Sequence, residues 1–203
     1  MSFENILCYG TLNPDLIYFV NELPSKGDDI RSSKSTIRPG GTAINCSELI
    51  SLWSKSVQVR GNSIGSDPMG NYLIDYLKEN NIKFDGLIID QSVTPTCSIF
   101  VDSSGERTIV SSGYEGLEWS NFENLNNFDS LIIDRYSIKF VKDKLKDLKK
   151  DNNLFICQAG YEYEIDYKLD FLIVSKDEIS VDEANNLIDS STCLLYTSPS
   201  PRD

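Results

Sequence analysis

The amino-acid sequence contains no histidine among its 203 residues. This absence excludes catalytic triads of the Ser-His-Asp type, Cys-His pairs and the zinc sites that need an imidazole ligand. No apolar stretch approaches the length of a membrane-spanning helix, and the N-terminus lacks the pattern of a secretory signal peptide. The sequence therefore predicts a soluble intracellular protein whose chemistry depends on other side chains.

Cysteine is sparse and is not arranged in pairs. The five cysteines are odd in number and widely spaced, and no two of them form a C-x-x-C pair: Cys8, Cys46, Cys97, Cys157 and Cys193. Such spacing is typical of reduced thiols rather than of a disulfide framework. We therefore expect a cytoplasmic location.

Basic residues are few relative to acidic ones. The chain has 19 Lys and Arg against 31 Asp and Glu, a net charge of -12. A surface of this charge repels nucleic-acid phosphates and anionic lipid headgroups, so we expect neither nucleic acid nor a membrane as a partner. The hydrophobic fraction of 40% suffices for one sizeable globular domain.

The last eleven residues, Cys193 to Asp203, abandon helical periodicity for a Ser/Pro-rich composition. One interpretation is a flexible or polyproline-type tail. The other is a translated transposase-type sequencing adapter, which the string resembles. We adopt the second hypothesis, so we expect residues 1–192 to form a partial domain, incomplete at its C-terminus, and residues 193–203 to be a non-native tail that is excluded from the fold.

Apolar runs and helical periodicity alternate along most of the chain. Strands are predicted at 6–9, 16–20, 30–37, 57–64, 84–89, 131–134, 154–157 and 171–174, and helices at 40–53, 67–81, 140–149 and 181–188. This β-α-β rhythm predicts an α/β fold with a mostly parallel central sheet flanked by helices. Residues 12–38 and 96–112, the latter with a hairpin at 96–110, interrupt the rhythm. We expect them to form a small second sheet that covers the ligand crevice as a lid.

The stretch from Gly61 to Gly70 has glycines at the spacing of a phosphate-binding loop. Asn71 and Tyr72 stand where such a loop has Lys and Ser/Thr, so the motif fails. The stretch instead predicts a strand-to-helix turn with Asp67 as N-cap and Pro68 as the first helical residue.

Three polar elements fall where ligands bind in α/β sheets, at the carboxyl ends of strands or at a helix start. Asn13-Pro14-Asp15 follows the first strand, Gly40-Gly41 opens a helix that contains Asn45, and Asp134 ends a later strand. Carboxylates and carboxamides there can bind vicinal hydroxyls. Each element also has a plainer interpretation: an Asx-type turn, a Gly-Gly loop with a solvated Asn, and a helix-capping Asp.

Together these motifs resemble the ribokinase-like carbohydrate kinase family, across residues 5 to about 190. The family begins with Gly-x-x-Asn-x-Asp, here Gly10-Thr-Leu-Asn13-Pro-Asp15, and continues with Gly-Gly…Asn, here Gly40-Gly41…Asn45. Gly65-Ser-Asp67-Pro-Met-Gly70 and the predicted hairpin are also similar to family features. Ser175-Lys-Asp-Glu178 resembles the family's Asn-x-x-Glu with Ser for Asn, as in ketohexokinase-like members, and residues 104–109 lean the same way.

The resemblance implies Mg²⁺- and ATP-dependent transfer of phosphate to a sugar hydroxyl. By the same resemblance, six residues bind the sugar: Asn13, Asp15, Gly40, Gly41, Asn45 and Asp134. Ser175 and Glu178 lie at the ATP site, where Glu178 orders the metal through water. The lid excludes water from the site and, in some family members, pairs two subunits, so a homodimer through the lid is an open expectation.

The family's Asp-Thr-x-Gly-Ala-Gly-Asp signature, which supplies an anion hole and a general base, is absent from the sequence. We therefore expect the 203-residue chain to be inactive by itself. Two other functions stay open: a nucleoside kinase of the same family, and a non-catalytic module that binds a sugar or nucleoside.

Overall fold

The computed structural model describes residues 4–53, 56–151, 154–161, 165, 167, 169–175, 179–180, 182–183 and 193–197. The strands are β1 (Asn5–Gly10), β2 (Asn13–Phe19), β3 (Lys34–Gly40), β4 (Ser56–Gly61), β5 (Ile64–Gly65), β6 (Lys83–Phe84), β7 (Ile88–Ile89), β8 (Thr96–Val101), β9 (Arg107–Ser112), β10 (Ser130–Asp134), β11 (Phe155–Ala159), β12 (Phe171–Ser175) and β13 (Cys193–Thr197). The helices are α1 (Thr42–Ser51), α2 (Pro68–Glu79) and α3 (Ile138–Asp151), with a short 3₁₀ turn at Leu125–Asn127.

The central sheet is parallel throughout its described part, with seven strands in the order β13-β12-β11-β10-β1-β4-β6. Both of its faces are covered, as a parallel sheet requires. Ile6 and Cys8 of β1 point into a core with α1 and α2. Leu7 and Tyr9 point the other way, into a core with α3. Each fully buried aliphatic side chain stabilises the fold by about 1.5–3 kcal/mol.

A second, smaller sheet stands apart from the first, in the order β3-β2-β8-β9. Its inner pair, β2 and β8, is parallel, and its outer strands pair antiparallel. Because side chains alternate along a strand, Asp15, Ile17 and Phe19 lie on one face and Tyr18 on the other. The predicted α/β architecture with a separate small sheet is confirmed, and we call this sheet the lid sheet.

The first polar motif is strand rather than turn. Asn13 pairs with Gly40 and Pro14 with Pro39, so β2 begins three residues before the predicted start at Leu16. Pro14 has no N–H to donate to a neighbouring strand. The strand tolerates it because β8 pairs with β2 only from Asp15 onwards, so no strand on that side needs a hydrogen bond from Pro14.

Two predicted strands are each divided in the structure. The run at 57–64 becomes β4 and β5, and the run at 84–89 becomes β6 and β7. The two divisions have the same cause. The first halves, β4 and β6, pair with each other in the central sheet, whereas the second halves, β5 and β7, pair with each other in a separate ladder. Between β4 and β5 lies the fully buried Asn62, whose side chain bonds to the backbone of Leu12 instead.

The C-terminal segments differ in how far the structure describes them. The helix predicted at 181–188 lies outside the described residues except for 182–183. Cys193–Thr197, which the tail hypothesis excluded from the fold, form the edge strand β13 beside β12. The assignment of residues 193–203 as a non-native tail of adapter origin stays a prediction. Among the described residues, no helix combines the length and apolarity needed to cross a bilayer.

Asp67 caps α2 as predicted and also fixes the loop before the lid hairpin. Its Oδ1 accepts from the Gly70 N–H at 2.8 Å and from the Thr94 hydroxyl at 2.7 Å, and its Oδ2 accepts from the Thr94 N–H at 2.8 Å. Burial alone would raise the pKa of Asp67, but these bonds together with one from Met69 lower it below its ordinary value.

We expect Asp67→Ala to lower the free energy of unfolding by about 2 kcal/mol at neutral pH, because α2 loses its cap and Thr94 loses its acceptor. A lowered folded-state pKa means that the ionised carboxylate stabilises the fold above the ordinary aspartate pKa, and that this stability is lost as the pH falls through the folded pKa. Urea unfolding at neutral and acidic pH measures both effects.

The matched control is Asp75→Ala on the same helix, whose carboxylate is exposed in an ion pair of 3.7 Å with Lys78. That pair is of the surface type, so we expect a change below about 0.5 kcal/mol. Equal losses for the two variants, or a loss at Asp67 that does not shrink in acid, would contradict the assigned network.

Candidate functional site

The sequence motifs meet at one edge of the central sheet, where parallel strands end. β1 and β10 are neighbours there, and the chain leaves β1 at Gly10, crosses through Thr11 and Leu12, and enters the lid sheet at Asn13. Ligands of α/β sheets bind outside such carboxyl ends. The turn between β1 and β2 therefore joins the central sheet to the lid sheet at the candidate site.

Asp134 is the fixed point of this edge. Its side chain is only 1% exposed. Its Oδ2 accepts from the Thr11 N–H at 2.7 Å and the Thr11 hydroxyl at 2.8 Å, and its Oδ1 accepts from the Ser137 N–H at 2.8 Å just before α3. Both oxygens are thus used within the protein, which favours the capping interpretation over direct sugar binding. Sugar contact by Asp134 stays a prediction.

The space beside Asp134 is filled by backbone. A Cβ at Gly10 would lie 2.7 Å from Asp134 Oδ2, so no larger residue fits without displacing the carboxylate. The glycine therefore allows the end of β1 to approach the carboxylate closely enough for Thr11 to bond to it.

Thr11 also fixes the position of the start of α1. Its hydroxyl oxygen accepts from the Thr42 N–H at 3.0 Å, and its carbonyl accepts from the Ala43 N–H at 3.2 Å. The first two amides of α1 are therefore already bonded to the β1–β2 turn. Because these amides are used internally, this helix start offers fewer free donors for an anion than an open N-terminus would.

Four of the predicted sugar-binding residues are in mutual contact. The Asn13 amide donates to Asp15 Oδ1 at 2.7 Å. Gly40 lies against the Asp15 carboxylate so closely that a Cβ there would overlap it. Gly41 adopts a φ of 83°, and its own Cβ would overlap the Thr11 carbonyl and lie 2.9 Å from Asn13 Oδ1. The absence of side chains at the two glycines therefore leaves room for the side chains of Asn13 and Asp15.

Asp15 is a carboxylate partly deprived of water. Burial raises its pKa, and the hydrogen bond from Asn13 offsets only part of that rise. The described residues give its carboxylate only this one side-chain hydrogen bond. A partly buried carboxylate with acceptor capacity to spare is suited to ligand hydroxyls, which replace the lost water.

Asn45 lies one helical turn beyond Gly41, and its backbone N–H donates to the Gly41 carbonyl at 3.0 Å. The residue is exposed, and no described group bonds to its carboxamide. The amide is therefore available to a ligand at the start of α1.

The residues predicted for ATP and the metal are not placed. Ser175 ends β12, but its side chain, like the whole of Glu178, lies outside the described residues. In the part of the chain that is described, no group of three or more Cys, Asp or Glu side chains could hold a metal ion.

Sequence reasoning missed several residues that build the site. Hydrogen bonds that fix the backbone around the site come from three side chains: Thr11, Asn62 and Thr94. Near Asp15, the lid sheet contributes Cys97, and the segment just after β9 contributes Tyr114. Asn62 carried no distinct signal, since the predicted strand at 57–64 also contains the polar residues Gln58 and Arg60. Cys97 and Tyr114 carried none, because only the pairing of β2 with β8 brings them to Asp15, which precedes them by about eighty and about a hundred positions.

The family model "pfkB family carbohydrate kinase" matches residues 4–153. The match covers most of the chain, which therefore belongs to this family. A ribokinase of Dictyostelium discoideum is 27% identical over 108 residues, which are 53% of this chain and 34% of the relative. The matched segment thus spans only about a third of that relative's length.

Solved ribokinases share the fold. That of Cryptococcus neoformans var. grubii serotype A, in complex with ADP, superposes with a TM-score of 0.78 at 18% identity, covering 98% of this chain and 74% of that one. The Arabidopsis thaliana ribokinase, complexed with ribose and ATP, gives 0.72 at 16% identity, covering 98% and 73%. At this identity the likeness establishes the ribokinase fold and no more.

We expect Gly41→Ala to destabilise the protein by clearly more than Gly105→Ala. Both glycines have a positive φ, 83° and 84°, so both variants bear backbone strain, and the ψ of 148° places Gly41 in a region that is essentially restricted to glycine. A Cβ at Gly105 meets open space, whereas one at Gly41 would overlap the Thr11 carbonyl. Urea unfolding of the two variants measures the combined cost of that overlap and of the backbone conformation of Gly41.

Equal losses of stability in the two variants would show that the contact between Gly41 and the Thr11 carbonyl does not exist in solution.

Proposed function

We propose that the complete protein transfers phosphate from ATP to a sugar hydroxyl, and that this chain carries the part of the site that binds the sugar. The observation that carries the proposal is the contact of Asn13, Asp15, Gly40 and Gly41 at the carboxyl edge of the sheet. Membership of the carbohydrate kinase family supports it, as do the ribose, ATP and ADP bound by the two solved ribokinases.

The donor and acceptor inventory of the site suits a polyol. Asp15 is an acceptor with one oxygen unused by the described side chains, so it can take hydroxyl hydrogens from a sugar. The Asn45 amide can both donate and accept at the start of α1. A vicinal diol presents matching donors and acceptors side by side, which a purely apolar or anionic ligand does not.

The same residues connect sugar binding to the lid sheet. Asp15 belongs to β2 in the lid sheet, while Thr11, four residues earlier, is bonded to Asp134 in the central sheet. A sugar held by Asp15 and Asn45 would bridge the lid sheet and α1, which packs on the central sheet. We propose that this bridging draws the lid sheet over the sugar and excludes water during transfer.

The proposed cofactors are ATP and Mg²⁺, with Ser175 and Glu178 as the residues expected at that part of the site. ATP would supply the phosphoryl group and Mg²⁺ would offset its charge. The described residues contribute sugar binding, orientation and the lid. Since the sequence has no Gly-Ala-Gly-Asp signature, we propose that the chain alone does not catalyse transfer.

The partners and location follow the same reasoning. The lid sheet leaves Ile37, Ile109 and Val110 exposed on its outer strands, at 46%, 52% and 55%. We propose a homodimer in which these side chains are covered. Free thiols are found at Cys8, Cys46, Cys97 and Cys157, which supports a reducing cytoplasm as the location.

We expect Asp15→Asn to weaken sugar binding by about 10- to 100-fold, because the sugar loses its charged acceptor. Isothermal titration with D-ribose, D-fructose, D-glucose and adenosine measures the loss and identifies the preferred class, with adenosine testing the nucleoside alternative. The raised folded-state pKa means that the ionised carboxylate disfavours folding at neutral pH. The variant should therefore be no less stable than the wild type.

The matched control is Asp75→Asn, at an exposed position of α2 away from the site. It should bind as the wild type does. Binding by the wild type of none of the four compounds, or equal binding by the wild type and Asp15→Asn, would contradict the proposed function.

A separate expectation concerns the reaction. The purified chain, given ATP, Mg²⁺ and the best-bound sugar, should form no ADP above the sugar-free background, because the anion hole and general base are absent. A coupled ADP assay measures this. Sugar-dependent ADP formation that Asp15→Asn abolishes would contradict the proposed inactivity.

A further inference from the structure

We propose that Tyr114, seated on Cys97, is a specificity-determining residue that donates a hydrogen bond to a sugar hydroxyl beside the one held by Asp15. The inference rests on the proposed function and extends it, since it assigns a side chain just after β9 of the lid sheet to recognition of one particular oxygen of the acceptor.

Strand register brings the three residues together. Cys97 of β8 is the parallel partner of Asp15 in β2. Registered partners on adjacent strands point to the same face about 5 Å apart, so the thiol and the carboxylate are neighbours. The Tyr114 hydroxyl lies 3.6 Å from Cys97 Sγ. The chain of contacts therefore runs from Asn13 through Asp15 and Cys97 to Tyr114.

The raised pKa of Tyr114 agrees with this placement. Burial raises the pKa of Tyr114 most, followed by the contact with Cys97 and the charges of Asp15 and Tyr136. The Tyr114 hydroxyl therefore keeps its proton at neutral pH and can donate it.

The Tyr114 hydroxyl has a weak partner. Tyr114 is half-buried, and a tyrosine hydroxyl taken out of water usually finds a good hydrogen-bond partner. Among the described residues, Tyr114 has only the thiol of Cys97, which is a weak acceptor and is also 3.4 Å from the Ser111 hydroxyl. A strong donor with a weak partner, placed next to a carboxylate that has spare acceptor capacity, is suited to a ligand oxygen.

This arrangement predicts which sugars bind well. Asp15 accepts a hydrogen bond from one hydroxyl, and Tyr114 donates one to the oxygen of the next. The two groups together therefore suit a pair of adjacent hydroxyls, one acting as donor and the other as acceptor. A sugar without the oxygen opposite Tyr114 leaves the phenol with its weak thiol partner. The site should therefore discriminate against one particular deoxy sugar.

The test is Tyr114→Phe, which removes a single oxygen. We expect it to weaken binding of the best-bound compound from the panel of D-ribose, D-fructose, D-glucose and adenosine by about three- to tenfold in isothermal titration. The matched control is Tyr18→Phe, on the opposite face of the same sheet, where the ring stacks on Phe100 at 5.5 Å. It should bind unchanged.

A second measurement separates recognition from structure. The wild type and Tyr114→Phe are titrated with the monodeoxy analogues of the best-bound compound. If Tyr114 donates to one hydroxyl, the two proteins bind the analogue lacking that hydroxyl equally, and the three- to tenfold difference persists for the others. A structural role would give the same loss for every analogue.

The outcomes distinguish this inference from the function on which it rests. Loss of binding in Asp15→Asn with unchanged binding in Tyr114→Phe would overturn the role of Tyr114 and leave the function standing. A loss in Tyr114→Phe that is equal for all analogues would also overturn it. Failure of the wild type to bind any compound of the panel would overturn both.

Discussion

The carboxylate of Asp134 is the constraint on which the site depends. Buried at the end of β10, it bonds to the Thr11 amide and hydroxyl across the gap to β1, and to Ser137 at the start of α3. Thr11 in turn accepts from the first amides of α1. Removing this carboxylate would leave several buried donors without partners. The turn that aims Asn13 and Asp15 therefore keeps its position because of a residue that is more than a hundred positions away in sequence.

The fold was predictable where local pattern decides it. Apolar runs and helical spacing indicated the strands and helices of the central sheet, and Asp67-Pro68 marked the start of α2. The sequence pattern did not predict the structure correctly where pairing between strands determines it. Pro14 argues against a strand, yet β2 begins before it because Pro39 is its partner and β8 does not reach that far. The division of β6 from β7 likewise follows from pairing with two different strands.

The candidate site was predictable where it follows sequence motifs. Asn13, Asp15, Gly40 and Gly41 were identified from such motifs, and the structure brings them into contact. The sequence left open whether Asp134 caps a helix or binds a ligand, since both need an acidic residue at a strand end. Tyr114 could not be identified, because its relation to Asp15 exists only through the register of β2 and β8. Interactions across strands depend on folding, and spacing along the chain does not reveal them.

Hydrogen–deuterium exchange of the chain with and without the best-bound sugar tests the central claim most directly, because it locates the sugar without substitutions. A sugar at the seam of the two sheets should slow exchange in peptides that contain Thr11–Asp15, Gly40–Asn45 and the strands β8 and β9, and leave α3 unchanged. Protection confined to other parts of the chain, or equal exchange with and without a sugar that binds, would contradict the account.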